Sequence, residues 1–347
     1  MPIVQHLIVE DFGVHLSKHS GRLKVMRLGE GTPSERLVQQ APLLHLESVL
    51  ISGRGISLSS DAVEACCERG IPIYFLSSLG QPYARLYSAG LTGTVQTRRA
   101  QLRAYDDGRS LALALAFARG KICNQANLLK YMGKYRKQAD PDLFAALTQA
   151  ADDVQVHLKE LDTLEGGTAA EVRDRLMGIE GRAARRYWGA VKKVLPAGCG
   201  WPGRRGRGAR DAVNSALNYG YGILYSQVER AIVLAGLDPY AGFAHADRPG
   251  KPSLVLDLIE EFRAPAIDRT VFGLVNKGVA IEQDDRGRLV KETRRTLAEK
   301  VLDRLDRPVR YERKRHPLRA VIQTQARHVA TYLRGDRAAY TPFVTQW

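Results

Sequence analysis

Along the first 88 residues apolar and polar positions alternate in short runs, and beyond them the apolar spacing becomes helical. Residues 6–9 (HLIV), 13–16 (GVHL), 23–28 (LKVMRL) and 44–51 (LHLESVLI) carry the pattern of half-buried strands, with His19-Ser20-Gly21 as a hairpin turn. Ser59-Ser60-Asp61 can cap a short helix through Arg69, Gly70 ends it, and residues 71–76 (IPIYFL) read as a returning strand. Between Ala89 and Thr97 the composition turns to Gly, Thr and Ser, which places a domain boundary near residue 90. Amphipathic segments follow over residues 95–137 and 141–161, and Gly166-Gly167 breaks the second. Thr168 with Glu171 fits a capping box opening a helix that runs to Val194 before Pro196 stops it. Asp211 caps a helix from Ala212 to about Ala235, closed by Gly236 and Asp238-Pro239. Past Phe272, a turn at residues 284–287 precedes further helices. The pattern predicts an α+β protein: a small N-terminal β-sheet domain over residues 1–90 and a larger all-α C-terminal domain over residues 91–347.

One stretch organises the helical half. In residues 242–263 (GFAHADRPGKPSLVLDLIEEFR), His245 sits in a Gly/Pro-bounded turn that leads into a helix with Pro252 near its start. At 3.6 residues per turn, Asp257, Glu260 and Glu261 share one arc, and Leu254, Val255, Leu258, Ile259 and Phe262 spread over the opposite one. The helix is expected to pack by one face and offer carboxylates from the other. Asp257 and Glu260 are expected to find no Lys or Arg partner on their own helix, which favours a ligand role over a merely solvated face.

Composition narrows the partners. A length of 347 residues suits two domains, and the formal charge of +15, with a pI near 9.8, points to a polyanion, nucleic acid first. No apolar run approaches the ~20 residues that span a bilayer, and no N-terminal signal pattern is present, so the protein reads as soluble and cytoplasmic, with no membrane partner. Cys66, Cys67, Cys123 and Cys199 form no C-x-x-C pair, so neither a zinc site nor a disulfide framework is indicated. His6, His15, His19 and His45 lack carboxylate company and read as structural or exposed.

Glu180 lies between Gly178 and Gly181 in mid-helix, where glycine costs roughly 1 kcal/mol against alanine. Something is expected to approach that backbone closely. Glu180 shares a face with Ala183, Ala184 and Tyr187, so it is expected to be buried and to need a compensating partner: a metal ion, or an ordinary ion pair to Arg185 or Arg186. Residues 203–210 (GRRGRGAR) form a flexible basic loop, either a phosphate clamp through Arg204, Arg205, Arg207 and Arg210 or a solvated segment. Asn124, Gln125 and Asn127, beside Lys121, can bond phosphates or other helices equally well. Residues 286–337 hold sixteen Lys/Arg against six Asp/Glu, the most basic long segment. Glu180, His245 and Glu260, with Asp257 as a further candidate, form a donor set for Mg²⁺ or Mn²⁺, the imidazole favouring Mn²⁺ somewhat. Spacing alone leaves their convergence open.

Residues 179–187 (IEGRAARRY), 214–221, 242–245 (GFAH) and 257–263 (DLIEEFR) resemble, in order, the signature blocks of the CRISPR-associated Cas1 family, as do residues 120–129 and 58–76. The resemblance covers nearly the whole chain. It implies a metal-dependent DNA endonuclease and integrase of spacer acquisition, acting as a homodimer with the small Cas2 protein on double-stranded protospacer and repeat DNA. It places the catalytic metal ligands on Glu180, His245 and Glu260, with Asp257 a less certain member. Arg182, Arg185, Arg186, Arg204, Arg205, Arg207, Arg210, Lys251 and Arg263 are the corresponding candidates for DNA contact. The prolines expected in the 203–210 loop are missing. Two other readings share these residues: a structure-specific, metal-dependent repair nuclease, and a non-enzymatic DNA-binding subunit.

Overall fold

A computed structural model describes residues 6–27, 36–77, 80, 82–86, 95–134, 136–206 and 208–346; the predicted boundary near residue 90 lies outside them. The N-terminal part is built from strands β1 (His6–Val9), β2 (Val14–His19), β3 (Arg22–Arg27), β4 (Arg36–Pro42), β5 (Ser48–Ile51) and β6 (Ser57–Leu58), helix α1 (Ser60–Glu68), and strands β7 (Ile73–Leu76) and β8 (Pro82–Leu86). They form two four-stranded sheets, ordered β1-β5-β7-β8 and β4-β3-β2-β6. Ser20 and Gly21 both adopt positive φ between β2 and β3, the tight turn read from the sequence. The run at residues 44–51 is shorter as a strand than expected, because Leu43–His45 makes one 3₁₀ turn before β5.

β5 pairs in parallel with both β1 and β7, and it is buried on both faces, as parallel strands require. Val49 and Ile51 join Leu7, Val14, Leu23, Ala62 and Ile73 in a core enclosed by both sheets and α1. Leu50, Tyr74 and Leu76 point the other way, into the helical core. Gly80 lies against Tyr219, where an added Cβ would sit 2.6 Å from the Tyr219 Cα.

Helices α2 (Val95–Ala104), α3 (Gly108–Lys134), α4 (Pro141–Asp162), α5 (Ala169–Val194) and α6 (Ala212–Leu234) follow. The predicted single segment over residues 95–137 is broken because the Asp107 carboxylate accepts from Arg109 N at 2.9 Å and restarts the helix. Asp140 caps α4 through Leu143 N, and Asp211 caps α6 through Asn214 N. The expected capping box does not form at Thr168: its hydroxyl caps no backbone N–H and instead donates to Glu171 at 3.1 Å, while Glu171 also accepts from Gly167 N at 3.0 Å. α3, α4 and α5 pack on one another.

Helices α7 (Ser253–Leu258) and α8 (Glu260–Phe262) run into a π-helical segment, Arg263–Asp268, and then α9 (Arg269–Asn276). Pro265 has no N–H to give to an α-helical ladder, which accounts for the wider turn there. α10 (Lys291–Asp306), a hairpin of β9 (Pro308–Tyr311) and β10 (Lys314–Pro317), and α11 (Leu318–Arg334) complete the helical region. The protein is thus α+β, with sheets first and helices after.

Candidate metal and DNA site

The site assembles where α3, α5 and α8 meet. Lys121 on α3 places its Nζ 3.1 Å from Glu180 Oε2 on α5 and 3.1 Å from Glu260 Oε2 on α8. Glu180 is 6% exposed and Glu260 5%, so two carboxylates are buried against one ammonium. Arg263 adds a second cation, its Nε 3.1 Å from Glu260 Oε1. Burial alone would raise the Glu260 pKa, but Arg263, Lys121 and His245 overcome it and hold the carboxyl below the usual carboxylate range. Burial likewise opposes the charge on Lys121, and the two glutamates more than offset it and raise its pKa.

These contacts correct two expectations. Glu180 is compensated by Lys121 and not by Arg185 or Arg186, which are exposed on the outer face of α5. Glu260 does have a partner on its own helical stretch, because Arg263 lies three residues on. The glycines beside Glu180 also differ from expectation: nothing lies within 4 Å of a Cβ built at Gly181, and only Arg182 Nη1, at 3.5 Å, approaches one at Gly178.

The carboxylates of residues 257–261 do not share a solvent-side arc. All three are buried and point to different partners. Asp257, fully buried, accepts from Phe243 N at 2.6 Å and Ala244 N at 3.0 Å through Oδ2. Its Oδ1 accepts from His245 N at 2.9 Å and lies 2.7 Å from His245 Nδ1. Asp257 therefore shapes the 242–245 turn and holds the imidazole with Nδ1 inward, which leaves Nε2 as the outward nitrogen. Gly242 is required there, since a Cβ would sit 2.5 Å from the Ser253 carbonyl carbon. Glu261 points into the core: Tyr340 Oη donates at 2.5 Å, Gln325 Nε2 at 2.9 Å and Phe343 N at 2.8 Å, while burial raises its pKa to about 7.

Asn124 belongs to the same backing. Its Nδ2 donates to Glu261 O and Phe343 O, and its Oδ1 accepts from Thr345 N and Oγ1, each at 2.8 Å. Asn127 donates to Thr345 O. Of the two roles open to these amides, Asn124 and Asn127 take the structural one.

Among the described residues, no group of three or more His, Cys, Asp or Glu is placed to hold a metal ion, and the position between Glu180 and Glu260 is taken by the Lys121 ammonium. The donors nevertheless suit a divalent cation. Glu260 Oε2 is buried and accepts no well-directed hydrogen bond, two carboxylates share one cation, and His245 keeps Nε2 outward.

A cavity of about 270 Å³ beside Glu260 is lined by Lys121, Arg204, Tyr221 and Arg263. Those last three also line a groove of about 930 Å³ that reaches Arg85 on β8 and Lys251. Arg204 lies 5.3 Å from the Tyr221 ring, and its Nη2 donates to Asn218 Oδ1 at 2.9 Å, so the start of the basic loop is anchored and not free. Arg263 also lies over the Tyr221 ring, 4.9 Å from its centre. Arg182 is exposed and tied to Glu160; Arg205 and Arg210 are exposed; Arg207 lies outside the described residues. Below the cavity, Asp268 accepts from Tyr187 Oη at 2.7 Å and from Tyr221 Oη, and burial raises its pKa to about 6. Sequence reasoning missed Lys121 and Asp268 as parts of this site. Its only signal for Lys121 was a lysine flanked by Gly120 and Ile122 in an otherwise apolar turn.

The family profile described as CRISPR associated protein Cas1 matches residues 7–302. The CRISPR-associated endonuclease Cas1 1 of Archaeoglobus fulgidus is 37% identical, over 98% of this chain and 99% of its own. The chain belongs to the Cas1 family. Among solved structures, a casposase bound to its integration product superposes with a TM-score of 0.82 at 22% identity, covering 97% of this chain and 93% of its own. A Cas6-RT-Cas1–Cas2 complex chain gives 0.76 at 20% identity, over 100% of this chain and 37% of its own. Both show the shared Cas1 fold. No helix among the described residues is long and apolar enough to cross a membrane.

Proposed function

We propose that this Cas1 chain is a metal-dependent DNA endonuclease and integrase of CRISPR adaptation, with Glu180, His245 and Glu260 as its metal ligands. The observation that carries the reading is the convergence of Glu180 and Glu260, from two separate helices, on one buried cation position beside an oriented histidine. Family membership and the endonuclease name of the Archaeoglobus relative support the reaction class. When bound, Mg²⁺ or Mn²⁺ would supply Lewis-acid polarisation of the scissile phosphate.

The protein's own side chains do the rest. Arg204 and Arg263 bind phosphate oxygens in the groove and neutralise charge as the 3′-hydroxyl of a captured fragment attacks phosphorus in line. The new bond joins that oxygen to phosphorus, the bond to the 3′-oxygen of the repeat strand breaks, and the departing oxygen takes up a proton. Water in place of the hydroxyl gives hydrolysis, so one site serves both cutting and joining. Asp257 is a positioning residue that keeps His245 in one tautomer. Arg182, Arg185, Arg186, Arg205, Arg207, Arg210 and Lys251 extend the basic surface to duplex protospacer and repeat DNA. The N-terminal β domain, residues 1–90, serves dimerisation and partner contacts, and Cas2 is the proposed partner in a cytoplasmic complex.

The test is joining of a labelled short duplex with free 3′-hydroxyls to repeat-bearing supercoiled DNA, with Mn²⁺ and the partner. His245→Ala is expected to abolish joined product and keep DNA binding. Joining at the wild-type level in that variant would show that His245 is structural. Cutting without joining by the wild type would favour the repair-nuclease reading.

A further inference from the structure

The β9–β10 hairpin stands apart from the site described above and has an unusual charge pattern. Arg310 and Arg315 are paired directly across the two strands, an arrangement that like charges disfavour. Its turn residues, Glu312 and Arg313, both have positive φ without being glycine, a strained way to hold a tight turn. Glu312 is drawn back toward Arg337 at 3.7 Å and His328 at 3.9 Å, which leaves Arg313 on the open side. Behind the hairpin, Arg269 and Arg304 line one wall of a groove of about 500 Å³ whose other wall carries Arg310, Arg313, Lys314 and Arg315. No carboxylate side chain among the described residues lines it. Arg310, Arg313, Lys314 and Arg315 are exposed and form no ion pair among the described residues. Arg304 is buried, donates to Pro265 O at 2.8 Å, and has its pKa lowered to about 9 by burial and by its cationic neighbours Arg269 and Arg307.

The four exposed cations of the hairpin, without an ion pair among the described residues, repel one another until a polyanion arrives. Its position says which polyanion. Arg269 donates to Tyr131 Oη at 2.9 Å, and Tyr131 stands ten residues beyond Lys121 on α3, about 15 Å at ~1.5 Å per residue. A duplex laid along α3 from the carboxylate pair would reach the groove within about four or five base pairs at ~3.4 Å each.

We propose that the β9–β10 hairpin, with Arg269 and Arg304 behind it, is a second DNA site: a clamp on the phosphodiester backbone of the duplex that enters the carboxylate centre. Assigning the polyanion as DNA rests on the function proposed above. The clamp holds phosphates and reads no base edges, so it adds affinity equally for all sequences.

The experiment compares binding of a labelled duplex to the full-length protein across about 50 to 200 mM salt, for wild type and Arg310→Ala/Lys314→Ala/Arg315→Ala. Removing three phosphate contacts is expected to lower the log–log salt slope by about 2.7. Arg310→Lys/Arg315→Lys, which keeps both charges, is expected to retain the slope, a rescue that a purely structural role for the hairpin would not show. A triple variant with the wild-type slope would overturn the clamp. The two proposals fail separately. An unchanged slope with joining intact sinks the clamp alone, whereas a steep wild-type slope without any joining sinks the catalytic reading and leaves the clamp standing.

Discussion

Replacing Asp257 by Asn separates a positioning carboxylate from a ligating one. The side chain keeps its shape, but one of its two oxygens becomes an NH₂ group that can only donate. If the amide nitrogen takes the Oδ2 place, it faces Phe243 N and Ala244 N, two donors with nothing left to accept from them. In the Oδ1 place it faces His245 N and forces His245 Nδ1 to become an acceptor, which puts the proton on the outward Nε2. The first arrangement strands two buried donors and the second strands one, His245 N, at ~1–3 kcal/mol each. A loss of about 3 kcal/mol is expected in the metal-free protein, read as a fall in Tm of roughly 4 °C. Titration calorimetry with Mn²⁺ is expected to show affinity reduced ~10–100-fold, the usual effect of removing the group that orients a ligating histidine. A metal-free variant as stable as wild type, with only ion binding impaired, would refute the reasoning, because it would make Asp257 a ligand whose backbone contacts carry no weight.

Two further changes probe the surroundings. His6 is half-buried on β1 beside Ser48, and the loss of solvent together with Arg319 and Arg230 lowers its pKa from 6.5 to about 3. Because the folded value is depressed, this contribution is fully present above pH 6.5 and lost as pH falls toward 3; by pH 5 it costs about 2 kcal/mol at ~1.36 kcal/mol per unit. Denaturant unfolding across that window is expected to show the decline in wild type and a flatter profile in His6→Gln, and parallel profiles would contradict it. Asn124→Ala strips four hydrogen bonds from the 343–345 segment and its backing of Glu261. Amide exchange at Phe343 and Thr345 is expected to quicken by at least ~10-fold, as about 1.4 kcal/mol of lost protection requires, and unchanged exchange would mean that packing alone holds the segment.

The parts of the fold legible in the sequence were those with local causes. The Ser20-Gly21 turn, the Asp211 cap and the stop at Gly236 each depend on neighbours a few residues away. The β5 pairing with β1 and β7 was not legible, since parallel neighbours are set by contacts across the whole domain. At the site, Glu180 announced its burial through the small and aromatic residues on its face. Lys121 did not, because its surroundings come from α5 and α8 and not from α3. Glu261 and Asp257 sat on the predicted polar arc, yet the breaks at Ile259 and Pro265 turn successive carboxylates toward different neighbours. Periodicity of a straight helix could not foresee that.

The seam between Asn124 and residues 343–345 bears on how the protein is made. Asn124 and Thr345 are separated by 221 positions, yet they meet directly behind the turn that carries Glu260. During synthesis, α3 and α5 are complete and able to pack long before that partner leaves the ribosome, so Glu261 and Asn124 wait with their buried groups unsatisfied. The carboxylate pair therefore acquires its rigid backing only after the chain has emerged through Thr345. A nascent chain stopped short of that point carries both glutamates and the lysine without the brace that keeps them in register.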